Sequence, residues 1–532
     1  TGKQVLLNKG NLAQAMLASA AFPSLFSPIE IDGELLVDGG VANNYPIEEV
    51  RNLGADVVIG VDVQDELLDR NQLKNATKIL VQITNLQSIE KMKSKIQDTD
   101  VYINPDIKDY GVISFDKGKE IIRKGEEAAF SVYEKIHALT DSQNPYIKPK
   151  LDVVKDSLQL VQIKTNPLNN FTEDYVLGKL RFKPGQKITY SHLQSGINTI
   201  NATENFNAIS YSFENEEKGE NLNLKLVENP IKTYLKFGLH YDDLFKSGVL
   251  VNLTNKNTLF KNDLASLDLV LGDNFRYNLD YYIDNGFYFS FGYKSRFNQF
   301  NRNVSTDFNN GTFFSQYAIN SLNIDFSDFT NAAYVQTIFA QKFLMGAGLE
   351  LKHLKIKSQT IGSSNPIFEN SDYASAYGYF KYDSYDNKYF PKKGWYFNGE
   401  IQTYLYSTNY TGLFNRFSVL KAETGFTKTF FKILNLKVHS EAGLSLGENS
   451  IHFLDFGLGG YGFGSINNFK TFYGYDFLSV ISSSYIKTLA TVDIEFYKKN
   501  HLNFSANYAN ADDKLYSSGN WLATPKYSGY AV

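Results

Sequence analysis

From Ile231 onward, apolar and polar residues alternate with a period of two, over long runs. A β-strand turns successive side chains to opposite faces, so this pattern gives each strand one apolar and one polar side. Leu235, Phe237 and Leu239 alternate with Tyr234, Lys236, Gly238 and His240, and Leu267, Leu269 and Leu271 alternate with Asp268 and Val270. Phe287, Phe289, Phe291 and Tyr293 do the same with Tyr288, Ser290 and Gly292. The clearest strand covers 434–446. Leu434, Leu436, Val438, Ala442, Leu444 and Leu446 lie on one face, and Asn435, Lys437, His439, Glu441 and Ser445 on the other. Strands of soluble sheets average about 5–6 residues. Runs of about ten, with an apolar face and interfacial aromatics, are the pattern of a membrane-spanning barrel. A large soluble β-sandwich or barrel also alternates, and run length is what weighs against it.

Composition is compatible with that reading. Aromatic residues make up 15% of the 532, and most of the 36 Tyr and 41 Phe fall after about residue 205. No apolar run is long enough for a transmembrane helix. The mean hydropathy of −0.30 suits a barrel, whose alternating strands average out. A net charge of −4 gives no reason to expect nucleic acid, and the absence of cysteine removes disulfides and thiolate metal sites.

Residues 1–140 differ in kind. Helical and apolar-strand patterns alternate there, the mark of an α/β layer. An apolar strand over Leu35-Leu36-Val37 delivers Asp38 to Gly39-Gly40, and Pro46 opens a helix. Glycine is needed where the backbone takes positive φ or lets a group approach closely. A carboxylate held at the end of a buried strand by such a turn is a candidate base; an ordinary capped turn has the same letters. Residues 56–63 form a near-continuous apolar run typical of a buried parallel strand. Residues 141–150 are polar, hold two prolines and read as a linker.

Residues 151–229 read as a small α+β unit. A strand over Leu158–Ile163 precedes a short helix near Thr172–Leu177, capped by Thr172. A second helix starts near Thr189-Tyr190-Ser191 and carries Leu193, Ile197 and Ile200 at helical spacing. Strands Phe206–Phe213 and Leu222–Val227 follow.

Three family resemblances rest on these segments. The Asn11–Pro23 stretch with Ala18-Ser19-Ala20-Ala21, then Asp38-Gly39-Gly40, Asn104-Pro105-Asp106 and a late helix with Gly125-Glu126, resembles the C-terminal half of a patatin-like phospholipase. The β-α-α-β-β order of 151–229 resembles a POTRA domain. Tyr382–Gly394 resembles the Asp-x-x-Asp-x-x-x-Phe-Pro-x-x-Gly hairpin of the bacterial surface antigen family, the superfamily of outer-membrane assembly and two-partner secretion barrels. Gly457–Phe477 resembles that family's long loop folded into the barrel lumen, with Gly460, Tyr473, Gly474 and Tyr475 at its tip. Tyr473 stands where the family carries the arginine that pairs with the barrel wall.

The resemblances imply a multidomain chain. A partial patatin-like α/β domain (1–140) is followed by a linker (141–150), a POTRA-like domain (151–229) and a transmembrane antiparallel β-barrel (230–532). The family barrel has about sixteen strands. About fourteen are legible through Tyr508, and Gly529-Tyr530-Ala531-Val532 looks like the start of another. The natural protein is therefore expected to continue past Val532.

The implied chemistry is a Ser–Asp dyad in a lipid acyl hydrolase of phospholipase A or lysophospholipase type. Asp38 would be the base, with Gly39 and Gly40 shaping its turn. Of seven histidines only His137 lies in 1–140. The whole chain is expected to lack a Gly-x-Ser-x-Gly elbow, so the nucleophile and the Gly-rich oxyanion loop are expected before Thr1. No cofactor or metal is called for. The implied partners are membrane phospholipids and the outer-membrane bilayer of a Gram-negative bacterium, with the hydrolase and POTRA-like domains in the periplasm. A homodimer is compatible with such fusions. The alternatives are a secretion barrel that exports its patatin domain to the cell surface, and a non-enzymatic translocase or assembly barrel.

Overall fold

The computed structural model describes residues 2–23, 26–64, 94–111, 114–140, 156–305, 321–339, 342–358, 367–388, 390–410, 414–431, 433–447, 451–464, 466–497, 500–513 and 526–532, with single residues elsewhere. The linker expected at 141–150 lies outside them. The chain forms two compact units, Thr1–Asp152 and Val153–Val532.

The first unit opens with α1 (Leu12–Ser19), whose cap residue Asn11 accepts a hydrogen bond from the Gln14 amide at 3.1 Å. Strands β1 (Ile29–Ile31) and β2 (Glu34–Leu36) form a hairpin over Asp32-Gly33, both at positive φ as a two-residue primed turn requires. Helices α2 (Gly40–Asn43) and α3 (Ile47–Asn52) follow. Strands β3 (Ile59–Val61) and β4 (Val101–Ile103) pair in parallel. The unit continues through α4 (Gly118–Ser131) and α5 (Tyr133–Thr140). The expected parallel strand is present, but it is buried on one side only. Val58 and Asp62 are 6% exposed, whereas Ile59 and Val61 are each 50% exposed.

In the second unit, a four-stranded sheet has the order β6-β5-β8-β7. Its strands are β5 (Ser157–Thr165), β6 (Lys187–Thr189), β7 (Phe206–Glu216) and β8 (Gly219–Glu228). Helices α6 (Glu173–Leu180) and α7 (Tyr190–Asn201) lie between β5 and β7. Thr172 and Thr189 cap them, accepting from Tyr175 N and His192 N. Leu193 and Ile200 enter the core beside Leu160, Val176 and Leu222. The chain order is β-α-β-α-β-β; the three-residue strand β6 is too short to show a period in the sequence.

The remaining strands are β9 (Thr233–Asp242), β10 (Lys246–Lys256), β11 (Asp263–Gly272), β12 (Arg276–Ile283), β13 (Ser290–Ser305), β14 (Ser321–Phe339) and β15 (Phe343–Ser358). Then come β16 (Ile367–Asp383), β17 (Lys393–Ser407), β18 (Phe417–Phe430) and β19 (Leu434–Leu446). A loop carries three short strands, β20 (Phe456–Leu458), β21 (Phe469–Lys470) and β22 (Val480–Ser482). Strands β23 (Ser484–Tyr497), β24 (Asn500–Ala511) and β25 (Lys526–Ala531) complete the chain. A single antiparallel sheet of 14 strands runs from β9 to β25, leaving out β20–β22, and β9 does not pair with β25 among the described residues. Tyr508 lies in the thirteenth strand, β24, one fewer than the sequence suggested; β25 is the fourteenth. Strand β13 starts at Ser290, so Phe287 and Phe289 belong to the turn before it.

The two faces of this sheet separate as the alternation requires. Leu235, Phe237, Leu239 and Leu349 are 57%, 71%, 91% and 66% exposed. These side chains stand on the outer wall of a membrane-spanning barrel sheet, where lipid rather than protein covers them. The inner face carries a core of Phe300, Leu322, Phe326, Leu354 and Tyr373 toward one end. Toward the other it carries charged pairs such as Lys421–Glu400 and Lys437–Asp493.

Helix α6 docks the small domain onto the barrel turns. Lys179 pairs with Asp284 at 2.5 Å, Asn262 and Thr172 exchange hydrogen bonds at 2.8 and 2.9 Å, and Lys183 lies 4.4 Å above the Phe287 ring. The backbones touch at Gly178 and Gly286, where a Cβ on Gly178 would stand 2.3 Å from the Gly286 Cα. Gly178→Val is expected to destabilise this joint by about 1–3 kcal/mol. Hydrogen exchange of α6 in detergent reads the effect, and unchanged protection would contradict the joint.

Candidate active site and lumen loop

Asp38 follows β2 by two residues and is half-buried. Its Oδ1 accepts the Gly40 amide at 2.7 Å. Its own amide donates to Ala21 O at 3.0 Å, and the Gly39 amide donates to Ser19 O at 3.3 Å. The backbone thus joins the Ala18–Ala21 stretch to the Asp38-Gly39-Gly40 turn, and Ala18 and Ala21 are buried beneath it. Two expectations need correction. The strand before Asp38 is not buried, since Leu35 is 70% exposed. The glycines do not take positive φ either. Gly39 has φ −62° and ψ −26°, and Gly40 is helical. Gly40 leaves room for two side-chain tips, because a Cβ there would stand 2.8 Å from Asn44 Oδ1 and 2.9 Å from Asp38 Oδ1 and would push them aside. At Gly39 the nearest atom to a Cβ is Ser19 Oγ at 3.7 Å, an ordinary contact.

Around this turn lies a polar network that sequence reasoning missed. Lys95, on the helical residues 94–97, donates to Asn43 Oδ1 and to Tyr45 O, the latter at 2.8 Å. Asn43 Nδ2 donates to Glu49 Oε1 at 3.0 Å, and Gln4 Nε2 donates to the same oxygen at 2.6 Å. The Gln4 amide, foremost, holds the Glu49 carboxyl below its ordinary range. A second clamp joins Arg51 to Asp100 at 2.6 Å, and Asp100 also accepts the Val58 amide at 2.7 Å. That amide is the main reason its carboxyl lies below the usual range. Tyr102 donates to Asp62 at 2.6 Å; burial, aided by this carboxylate, pushes its hydroxyl up to about 12. His137 lies on α5, 5.7 Å from the Tyr133 ring.

The sequence holds one Gly-x-Ser-x-Gly string, Gly443-Leu444-Ser445-Leu446-Gly447. It lies on β19, in register with β18 through Leu444, Ser445 and Leu446. The Ser445 amide donates to Ser483 O at 2.8 Å. A nucleophile elbow is a sharp strand-to-helix turn. Ser445 sits in a continuing ladder and is a wall residue.

The loop between β19 and β23 folds against the inner wall. Phe469 lies 5.6 Å from Phe326, Phe477 lies 5.5 Å from Phe300, and Leu454, Phe456 and Phe472 are fully buried. At the tip, the Gly460 amide donates to Tyr475 O at 2.9 Å, with Gly460 and Gly474 at positive φ. Asn507 on β24 accepts the Tyr473 amide at 2.7 Å. Tyr473 cannot supply the family's cation, yet the loop is still ion-paired to the wall. Lys470 Nζ lies 3.4 Å from Glu441 Oε2, and Lys487 Nζ lies 2.7 Å from Glu441 Oε1. The loop's cation stands three residues before Tyr473.

Fold and lining together define a membrane β-barrel carrying an α/β unit at its N-terminus. A sequence model of the OMP85 superfamily matches residues 220–532, and the chain belongs to that superfamily. A model of the patatin-like phospholipases matches residues 2–51. An NTE family protein of Mycobacterium tuberculosis is 39% identical over 62 residues, 12% of this chain and 17% of that protein. Lysophospholipase NTE1 of Saccharomyces cerevisiae is 24% identical over 155 residues, 24% of this chain and 9% of the yeast protein. Patatin-like phospholipase domain-containing protein 7 of Mus musculus is 29% identical over 149 residues, 23% and 11% of the two chains. The chain therefore spans only 9% to 17% of the length of these relatives. Among solved structures, BamA from Haemophilus ducreyi lacking POTRA domains 1–3 has a TM-score of 0.47 at 11% identity, covering 69% of this chain and 75% of that one. CdiB from Acinetobacter baumannii has 0.43 at 12%, covering 67% and 64%. The chain is thus an OMP85-superfamily protein whose N-terminal residues are similar to the patatin-like phospholipases.

Proposed function

We propose that the protein is a lipid acyl hydrolase anchored in the outer membrane, acting on phospholipid or lysophospholipid esters with Asp38 as the general base. A serine outside residues 1–140 attacks the ester carbonyl, and Asp38 takes its proton. Backbone amides stabilise the oxyanion. The observation that carries this reading is the Asp38 turn. One carboxylate oxygen is fixed by the Gly40 amide, the backbone is tied to Ser19 and Ala21, and Oδ2 is left to act as acceptor.

The barrel serves as anchor and the α+β domain, read as POTRA-like, as spacer. Turns on the small domain's side stay short, as at 257–262 and 284–289, and the other end carries the longest connection, 447–483, beside three-residue turns at 243–245 and 273–275. Outer-membrane barrels put short turns in the periplasm, which supports reading the small domain as periplasmic; the hydrolase is proposed to be periplasmic as well. A conduit for a folded domain needs an open lumen, whereas the aromatic core of the loop occupies one end of this one. That favours tether over export.

Two measurements test the reading. Purified full-length protein should release fatty acid from lysophospholipid. Protease added to whole cells should leave the hydrolase intact, whereas its digestion at the cell surface would support the exporting barrel.

A further inference from the structure

We propose that Lys95 is a positioning residue for Asp38, an inference that rests on reading Asp38 as the base. Helix α2 starts immediately after Asp38-Gly39 and is only four residues long, and its first amide, Gly40 N, is held by the Asp38 carboxylate itself. A single turn of helix is marginal without outside support. Here further support comes at its far end. Asn43, the last residue of α2, and Tyr45, two residues on, both accept from the Lys95 ammonium.

Lys95 is itself held in place. Thr99 Oγ1 donates to Lys95 O at 2.8 Å and lies 3.2 Å from the Tyr45 hydroxyl, so the segment carrying Lys95 grips Tyr45 at both its carbonyl and its ring. Tyr45 is 6% exposed and packs with Ile47, Val58 and Met92. Gly60 makes room for it, since a Cβ there would stand 1.7 Å from the Tyr45 hydroxyl. The rest of Asn43 is fixed through Gln4 and Glu49, at 3.2 and 3.0 Å. The turn that aims the Asp38 carboxylate is therefore anchored at one end by Ser19 and Ala21 and at the other by Lys95.

Removing the ammonium leaves the Asn43 and Tyr45 oxygens without a charged donor, while Asp38 and its hydrogen bond to Gly40 remain. The carboxylate then samples more orientations, and misplacement of a catalytic group on the order of 1 Å costs on the order of 100-fold. The contact orients the base, so the loss is expected to fall on kcat.

The test uses the full-length protein in detergent and a lysophospholipid. Lys95→Met should lower kcat about 10- to 100-fold with KM unchanged, and Lys95→Arg should restore most of it. Asn43→Ala, which removes the link from the other side, should lower kcat similarly. The double variant should be no worse than the poorer single one, because residues acting through one contact are non-additive. Should Lys95→Met fail to fold, Asn43→Ala and Lys95→Arg carry the test. Wild-type kcat in Lys95→Met and Asn43→Ala, with Asp38→Asn inactive, would overturn the positioning role alone. Activity surviving in Asp38→Asn would instead overturn the base assignment.

Discussion

Asp38→Asn is expected to reduce lipid ester hydrolysis by the full-length protein about 10²- to 10⁴-fold, the usual contribution of a positioned general base. Shape and volume are nearly conserved, and the Asn oxygen can still accept the Gly40 amide that Asp38 Oδ1 receives at 2.7 Å. What disappears is the basic carboxylate. The fold should be untouched, because Asp38 is half-buried and makes no ion pair among the described residues. Heat-modifiable gel mobility of the barrel should match wild type. An Asp38→Asn protein with near-normal turnover would remove Asp38 from the mechanism.

The second large effect is expected in the lumen. Glu441→Ala removes the one carboxylate shared by Lys470 on the loop and Lys487 on β23. Lys487 is 4% exposed, and Glu441 only 8%. Removing one member of a buried pair leaves an uncompensated charge and costs about 3–5 kcal/mol. Part of that loss appears as loosening of the loop, because the Lys470 ion pair is gone and the Tyr473–Asn507 and Lys487–Thr471 hydrogen bonds and the aromatic core are left to hold it. The readouts are a lower temperature for loss of heat-modifiable mobility and new protease sites within 447–483. Glu441→Gln should be milder, since its amide oxygen still accepts one hydrogen bond. An Ala variant as stable and protease-resistant as wild type would show that the loop is held by its aromatic core alone.

The barrel was the most legible part of the chain, for a physical reason. Period-two alternation follows from backbone geometry, and a lipid-facing wall enforces it over lengths that soluble sheets rarely reach. Strand 434–446 was recovered with its observed bounds. Phe287 and Phe289 kept the period but lie in a turn, where the Phe287 ring faces Lys183 of the small domain. That is a tertiary contact no local pattern carries. β6 was missed because three residues show no period. At the candidate site, Asp38 and its two motifs were legible as short strings, and the structure joins them through backbone hydrogen bonds. The reason for the second glycine was not legible. It is crowding by Asn44 and Asp38, which depends on where a side chain turns. Lys95 was invisible because fifty residues separate it from the turn it supports. The Lys470–Glu441 pair was invisible because the expected cation position holds Tyr473 and the substitute stands elsewhere in the loop.

The most direct test of the whole account is flotation of the reconstituted full-length protein in vesicles whose phospholipid carries a labelled acyl chain. The protein should float with the vesicles, resist carbonate extraction, and release labelled fatty acid in proportion to the protein embedded. Protein left unbound at the bottom of the gradient, or floated protein that releases no labelled acid, would contradict it.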